Sequence, residues 1–318
     1  MEVTASNVPE ALYEVGMRFK VSAVQEESRN GAVLTIPEPF TLTIRNPTER
    51  VLLDPIRDAN PFFHIAETVW MLGGGQGLEF VAYYNSGMNR YSDDGATLHG
   101  AYGHRWRKHF FRDQIADVID LLNEDPTTRR AVIAMWDAEV DHKDSLDIPC
   151  NTHIVFRMVD GKLDMTVFNR SNDVVWGMLG ANAVHMTYLH ELVAHGVGVS
   201  IGRYRVVTAN AHTYLANPYT VSLLGAVGPH DTYAHHGATT YPLCASHEHV
   251  TKILGAFKQA VAFPWESKYG SEWLRNVFIP ARDAYRLRKE GHLYEHRLKS
   301  IVAEDWRMAC TEWCLRRD

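Results

Sequence analysis

Residues 147–173 read DIPCNTHIVFRMVDGKLDMTVFNRSND, and this stretch decides how the chain is organised. Thr152–Met158 and Leu163–Asn169 are two β-like runs joined by Val159-Asp160-Gly161-Lys162. Asp-Gly between such runs predicts a β-hairpin. Cys150 stands just before the first strand, in Asp147-Ile148-Pro149-Cys150-Asn151, and Arg170-Ser171 follow the second. A sheet edge can present a thiol to a pocket there, although free cysteine is also among the most buried residue types.

Working outward, Ala131–Trp136 and Tyr204–Thr208 read as further strands, and Ala32–Ile36 and Phe40–Ile44 as two strands joined by a tight connection through Pro37 and Pro39. Between Asp113 and Asn123 the residues Ile115, Val118, Ile119 and Leu122 recur at the spacing of one buried helical face, and Pro126 marks the exit. Phe62–Leu72 is a helix stopped by Gly73-Gly74-Gly75, and Ala183–His195 a helix leading to Gly196. Beyond residue 250 the pattern is helical: Val250–Phe263, Ser271–Lys289 with a break at Pro280, and Leu298–Leu315. No linker or internal repeat interrupts the chain, so the expectation is one α+β domain over 1–318. Its core spans about 20–218 and a helical C-terminal part about 219–318.

The 318 residues are 46% hydrophobic and 22% charged, which suits a folded protein with a real core. Lys+Arg of 32 against Asp+Glu of 38 leaves a net charge of −6. No global positive field attracts a nucleic acid or an acidic membrane, so any anion is met by a local cluster. Four irregularly placed cysteines form no disulfide framework and no C-x-x-C pair, and no leader or long apolar run is visible; the expectation is a reducing cytoplasm.

Arginine clusters are what the chemistry needs. Arg129-Arg130 and Arg170-Ser171 offer the guanidinium and hydroxyl donors that suit a phosphate dianion, and positive charge near Cys150 is expected to lower its thiol pKa. Taken singly, each pair reads equally well as ordinary surface arginine.

In chain order the motifs resemble those of the thymidylate synthase superfamily of pyrimidine-nucleotide C5 transferases, from about Arg29 to Tyr214. Ser28-Arg29-Asn30-Gly31 resembles its phosphate-binding loop, and Ile65-Ala66-Glu67-Thr68-Val69-Trp70 the helix carrying its catalytic glutamate. Gly100-Ala101-Tyr102-Gly103-His104-Arg105-Trp106-Arg107 resembles its Tyr-Gly-x-x-Trp-Arg segment, and Asp125-Pro126-Thr127-Thr128-Arg129-Arg130 its arginine pair. Pro149-Cys150, Arg170-Ser171-Asn172-Asp173 and Asn210-Ala211-His212-Thr213-Tyr214 complete the order.

The resemblance implies a central mixed β-sheet flanked by helices and a homodimer with shared sites. It implies that Cys150 adds to C6 of a pyrimidine nucleoside monophosphate, which makes C5 nucleophilic towards a one-carbon unit from 5,10-methylenetetrahydrofolate, with no metal. Glu67 and Tyr102 would move protons. Arg29, Arg170 and Ser171 would hold the phosphate, joined by Arg129 and Arg130 from the second subunit. Asn182 would read the base, His212 and Tyr214 the sugar, and Asp173 and Gly177 would meet the folate.

Two departures bear on the product. The positions of the two tryptophans that cover the folate in methylating relatives are Met88 and Tyr91 here, and the tail Glu312–Asp318 is cationic rather than apolar. An opened wall admits water, which competes with hydride for the same carbon, so the expectation is hydroxymethyl transfer. Asn182 suits either base, since its amide can present donor or acceptor to each. Asn151, where thymidylate synthases usually place a histidine, leans the reading to deoxycytidylate, with hydroxymethylation or methylation of dUMP as the alternative. Rival classes are a nucleotide-binding protein without turnover, and a metal site built from Cys244, His247, His249, Cys310 and Cys314, whose spacing matches no common zinc pattern.

Overall fold

A computed structural model describes residues 1–55, 57–225 and 232–318. Its strands are β1 (Glu2–Ala5), β2 (Val24–Ser28), β3 (Gly31–Ile36), β4 (Phe40–Ile44), β5 (Val132–Ala134), β6 (Asn151–Val159), β7 (Lys162–Asn169), β8 (Asn172–Asp173), β9 (Ser200–Thr208) and β10 (Ala211–Tyr214). A six-stranded sheet runs in the order β1-β4-β9-β7-β6-β5, and a four-stranded sheet in the order β2-β3-β10-β8. Both are mixed: β7 lies parallel to β9 and β8 parallel to β10, while β6 with β7 and β3 with β10 are antiparallel.

The hairpin at 151–169 forms as its sequence requires. Asp160 (φ 51°) and Gly161 (φ 74°) both take the positive φ of a two-residue turn whose twist matches the strands. At its open end the Arg170 N–H donates to the Cys150 carbonyl at 3.0 Å, so the hairpin brings these two residues side by side. A bulge at Thr152, whose carbonyl accepts from both Met135 and Trp136, shifts the register next to Cys150.

One expectation holds and one changes. Ala32–Ile36 and Phe40–Ile44 form two strands joined by a tight connection, in different sheets: β3 joins the small sheet, and β4 inserts between β1 and β9. Pro37 and Pro39 therefore carry the chain from one sheet to the other, and cannot donate ladder bonds. The helix expected to end at Gly196 runs Asn182–Val197 and is closed by Gly198 in the left-handed region (φ 74°). Gly196 serves packing instead, since a Cβ there would meet Ile119 Cδ1 at 2.7 Å. The N-terminal helix Val8–Ser22 carries a legible start: Asn7 accepts from Glu10 N, and Glu10 reaches back to Ser6 N.

No strand follows Tyr214 among the described residues, and the helical C-terminal part buttresses the helices that face the cleft. Trp313 of Glu304–Leu315 packs edge-on against Phe62 of Pro61–Leu72 at 5.4 Å, and the Trp306 indole N–H donates to Tyr188 of Asn182–Val197 at 2.7 Å. One buried apolar cluster runs from Val3 to Cys314. No helix among the described residues is long and apolar enough to cross a membrane.

Candidate active site

The Pro61–Leu72 helix is buried at every position, capped by Asn60, whose side chain accepts from Phe63 N at 3.1 Å. Glu67 is therefore not on a solvated face: it is 6% exposed. A carboxylate placed there needs a partner, and His185 Nδ1 meets its Oε2 at 3.2 Å across from the Asn182–Val197 helix. His185 Nε2 is buried with no hydrogen-bond partner and lines the cleft beside the ring of Tyr102, 5.8 Å away. This histidine was missed by sequence reasoning, although it lies three residues past Asn182; only the crossing of two helices gives it a carboxylate.

The cleft encloses about 1240 Å³. Glu67, Met88, Tyr91, Tyr102, Cys150 and Asn182 line it, with Arg29, Arg170, Ser171, Asp173, Gly177, His212 and Tyr214. Thirteen of the fifteen expected residues thus converge. Arg129 and Arg130 do not: both are exposed outside this chain's own cleft, just before β5.

Cys150 is partly exposed to the cleft. Its thiol pKa is raised rather than lowered. Burial dominates, Asp147 and Asp173 add to it, and Arg170 and Arg29 only offset part of the rise. In the resting protein the expected thiolate activation by arginine is outweighed. Arg170 instead braces the segment that carries Cys150, donating to the carbonyls of Pro149 (3.0 Å) and Ile148 (3.1 Å). Burial, together with Cys150 and Asp147, pushes the Tyr102 hydroxyl well above its ordinary pKa, so it stays protonated.

Asp173 caps the Val174–Ala181 segment, accepting from Val175 N (2.9 Å) and Trp176 N (3.1 Å). Burial raises its pKa, and burial lowers that of His212 nearby. His212 Nδ1 meets Asn210 Oδ1 at 2.8 Å and Ser171 Oγ at 3.3 Å, fixing one ring edge. Gly177 matters for its missing Cβ, whose place is crowded by Asn172 Oδ1 at 2.5 Å and Asn182 Nδ2 at 3.1 Å. Trp176, also unforeseen, leaves 39% of its surface exposed at the cleft with Phe63 beneath it.

Behind this segment lies buried Arg57, which donates to the Val175 carbonyl through Nε (3.2 Å) and Nη2 (2.8 Å). Asp58 beside it pairs with Arg316, at 2.8 Å, and with Arg317. The cationic tail is docked on Asp58. Met88 is half-buried and Tyr91 is 40% exposed. Asn151 is buried in register with Asn169, and its side chain reaches the Tyr102 hydroxyl rather than the open cleft. Among the described residues no group of three or more His, Cys, Asp or Glu side chains could hold a metal ion, and the Cys244–Cys314 set does not assemble.

Comparison with known proteins agrees with this geometry. The thymidylate synthase family model matches residues 56–253. A deoxyuridylate hydroxymethyltransferase of Pseudomonas phage M6 is 42% identical over 339 aligned positions, covering 99% of this chain and 94% of its own. A second enzyme of that name, from Bacillus phage SP01, is 36% identical over 56% of this chain and 49% of its own. A thymidylate synthase of Buchnera aphidicola is 28% identical over 47% and 58% respectively. The chain is a member of the thymidylate synthase family, whose enzymes transfer a one-carbon unit to a pyrimidine nucleoside monophosphate and use methylenetetrahydrofolate as cosubstrate.

Proposed function

We propose that the protein converts dUMP to 5-hydroxymethyl-dUMP. The observation that carries this reading is the wall at 88–91: where a methylating enzyme needs a continuous aromatic cover, this cleft has a half-buried methionine and a tyrosine 40% exposed. The whole-length similarity to a phage deoxyuridylate hydroxymethyltransferase supports uracil over the cytosine favoured by the sequence alone. Asn182 suits that choice, accepting from N3–H and donating to O4.

The residues present fit both ligands. A cleft of about 1240 Å³ exceeds the roughly 300–1,000 Å³ of a site for one drug-sized molecule, which leaves room for nucleotide and folate together. The Trp176 face offers apolar cover and His185 Nε2 an unpaired polar atom. The folate supplies a one-carbon unit at the oxidation level of formaldehyde. The chain's own groups do the rest: Arg29, Arg170 and Ser171 hold the phosphate, and His212 and Tyr214 the sugar. Cys150 forms a bond to C6 as its thiol proton leaves, and the Glu67–His185 pair with protonated Tyr102 manages protons around the ring.

Arg129 and Arg130 complete the phosphate site of a second copy. The outer face of the six-stranded sheet supports such a homodimer: Val155, Thr166 and Phe168 lie there only partly buried and line an open hollow with Arg203 and Arg205. The test is mass spectrometry of products from dUMP, dCMP and CMP with methylenetetrahydrofolate. A gain of CH2O on dUMP, with tetrahydrofolate returned, is expected; a gain of CH2 with dihydrofolate, or CH2O on a cytidylate alone, refutes the reading. Sedimentation velocity giving a monomer at micromolar protein would refute the dimer.

A further inference from the structure

Asp147 lies three residues before the nucleophile and lines the same cleft as Cys150, Tyr102, Met88 and Tyr91. Its position is built. The Gly100 N–H donates to Oδ2 at 2.8 Å, and only glycine permits this approach, since a Cβ at 100 would lie 2.7 Å from the Asp147 carbonyl oxygen and 3.1 Å from Oδ1. Ser145 Oγ accepts from Asp147 N at 3.1 Å. Asp93, two residues past Tyr91, accepts from Ser145 Oγ at 2.6 Å and from Leu146 N at 3.0 Å. The loop that lacks the aromatic wall and the loop bearing Asp147 are thereby tied together. No hydrogen bond is made to Asp147 Oδ1 among the described residues.

Hydration of a one-carbon unit needs a base that accepts a proton from water, in the sector the missing wall opens. Glu67 is engaged with His185, and Tyr102 holds its proton. Burial lifts Asp147 above the ordinary carboxylate pKa, towards the range where a carboxylate accepts protons well at neutral pH. The Gly100 N–H, His99 and Arg105 oppose that rise, and Asp93 adds to it.

We propose that Asp147 is a catalytic residue, the general base that deprotonates the water forming the hydroxymethyl group. This rests on the hydroxymethylase reading above. In the Cys150 adduct the one-carbon unit stands on C5 as an exocyclic methylene conjugated with the C4 carbonyl. The water oxygen bonds to that carbon, the π pair moves towards C5 and the C4 oxygen, and one water proton passes to the Asp147 carboxylate. The pair then closes the C5=C6 bond as the C6–S bond breaks and the thiolate returns to Cys150. Nothing is oxidised or reduced, and the proton on Asp147 returns to solvent.

The test is Asp147→Asn, which keeps an acceptor for the Gly100 N–H and removes the base. Wild type and variant are mixed with dUMP tritiated at C5 and methylenetetrahydrofolate. First-turnover tritium release, hydroxymethyl product and intact-protein mass are followed, with and without 2-mercaptoethanol. Tritium release is expected to match wild type, while product formation falls by about 10²–10⁴ and a nucleotide adduct accumulates on the protein. The mercaptan, whose thiolate needs no base, restores turnover as a thioether product. Hydroxymethyl formation within about twofold of wild type would overturn the assignment. So would tritium release that falls in step with product, or failure of the mercaptan to rescue. If wild type itself yields only methyl product, the hydroxymethylase reading fails and this role with it.

Discussion

Gly177→Ala tests whether the amide pair beside Asn182 governs the base. The added Cβ would sit 2.5 Å from Asn172 Oδ1, about 1 Å inside the separation at which such atoms attract, and 3.1 Å from Asn182 Nδ2. Asn172 cannot swing away cheaply: it is 3% exposed, and its N–H is bound to the Asn210 carbonyl at 2.8 Å. Overpacking of this kind costs about 1–3 kcal/mol of stability. A displacement of about 1 Å in a positioning group costs about 10²-fold in rate. The variant is expected to lose about 100-fold in kcat/KM for dUMP and most of its preference for dUMP over dCMP, while far-UV circular dichroism keeps its shape. The assay is steady-state product formation on both nucleotides, beside a urea titration. Stability lowered by 1–3 kcal/mol with kcat/KM and base preference both unchanged would refute the reasoning, because Asn182 would then have no part in recognition.

Cys150→Ala should abolish C5 tritium release from dUMP while nucleotide still binds; turnover at the normal rate would remove the covalent mechanism. Met88→Trp, restoring an aromatic side chain to the wall, should move product from hydroxymethyl towards methyl and generate dihydrofolate, which absorbance follows directly. Arg105→Met leaves Asp141, a buried carboxylate held by two parallel bonds of 2.7 Å, without its guanidinium partner and with only His99 and the Asp137 N–H, and should cost about 3–5 kcal/mol in chemical denaturation. The same pair sets an acid limit. Burial opposes ionisation of Asp141, but Arg105, the Asp137 N–H and His99 outweigh it and hold its pKa below the ordinary 3.8. Its contribution is therefore fully present above pH 3.8 and is lost as pH falls through the lower folded value, so a wild-type midpoint that stays constant from pH 5 to below 3 would contradict it.

Much of the site was legible because its chemistry is written locally. The hairpin turn and the arginines beside Ser171 and Thr128 each announce themselves within a few residues. What the sequence hid depends on two segments meeting. Glu67 looks like half of a pair, but His185 lies 118 positions away and shows no distinguishing neighbour. Asp147 resembles any loop carboxylate until Gly100 is seen to lie against it. The thiol pKa went the wrong way for a related reason: counting arginines registers charge but not the protein mass around Cys150, and burial proved the larger effect. The two strands on either side of Pro37–Pro39 were legible, but not that they enter different sheets, because that depends on partners far along the chain.

The Asp160–Gly161 turn sets more than the strand pairing it closes. Cys150 and Arg170 meet at the far end of the same two strands, so the turn acts as a ruler for the reactive centre: one residue inserted there would slide β6 against β7 and present every alternate side chain to the opposite face. It also bears on when Cys150 finds its neighbour. Hairpins close in about 1–10 μs, whereas the parallel contact of β7 with β9 must wait for the Asn182–Val197 helix to cross over. On these timescales the backbones of Cys150 and Arg170 are expected to meet before the cleft around them closes.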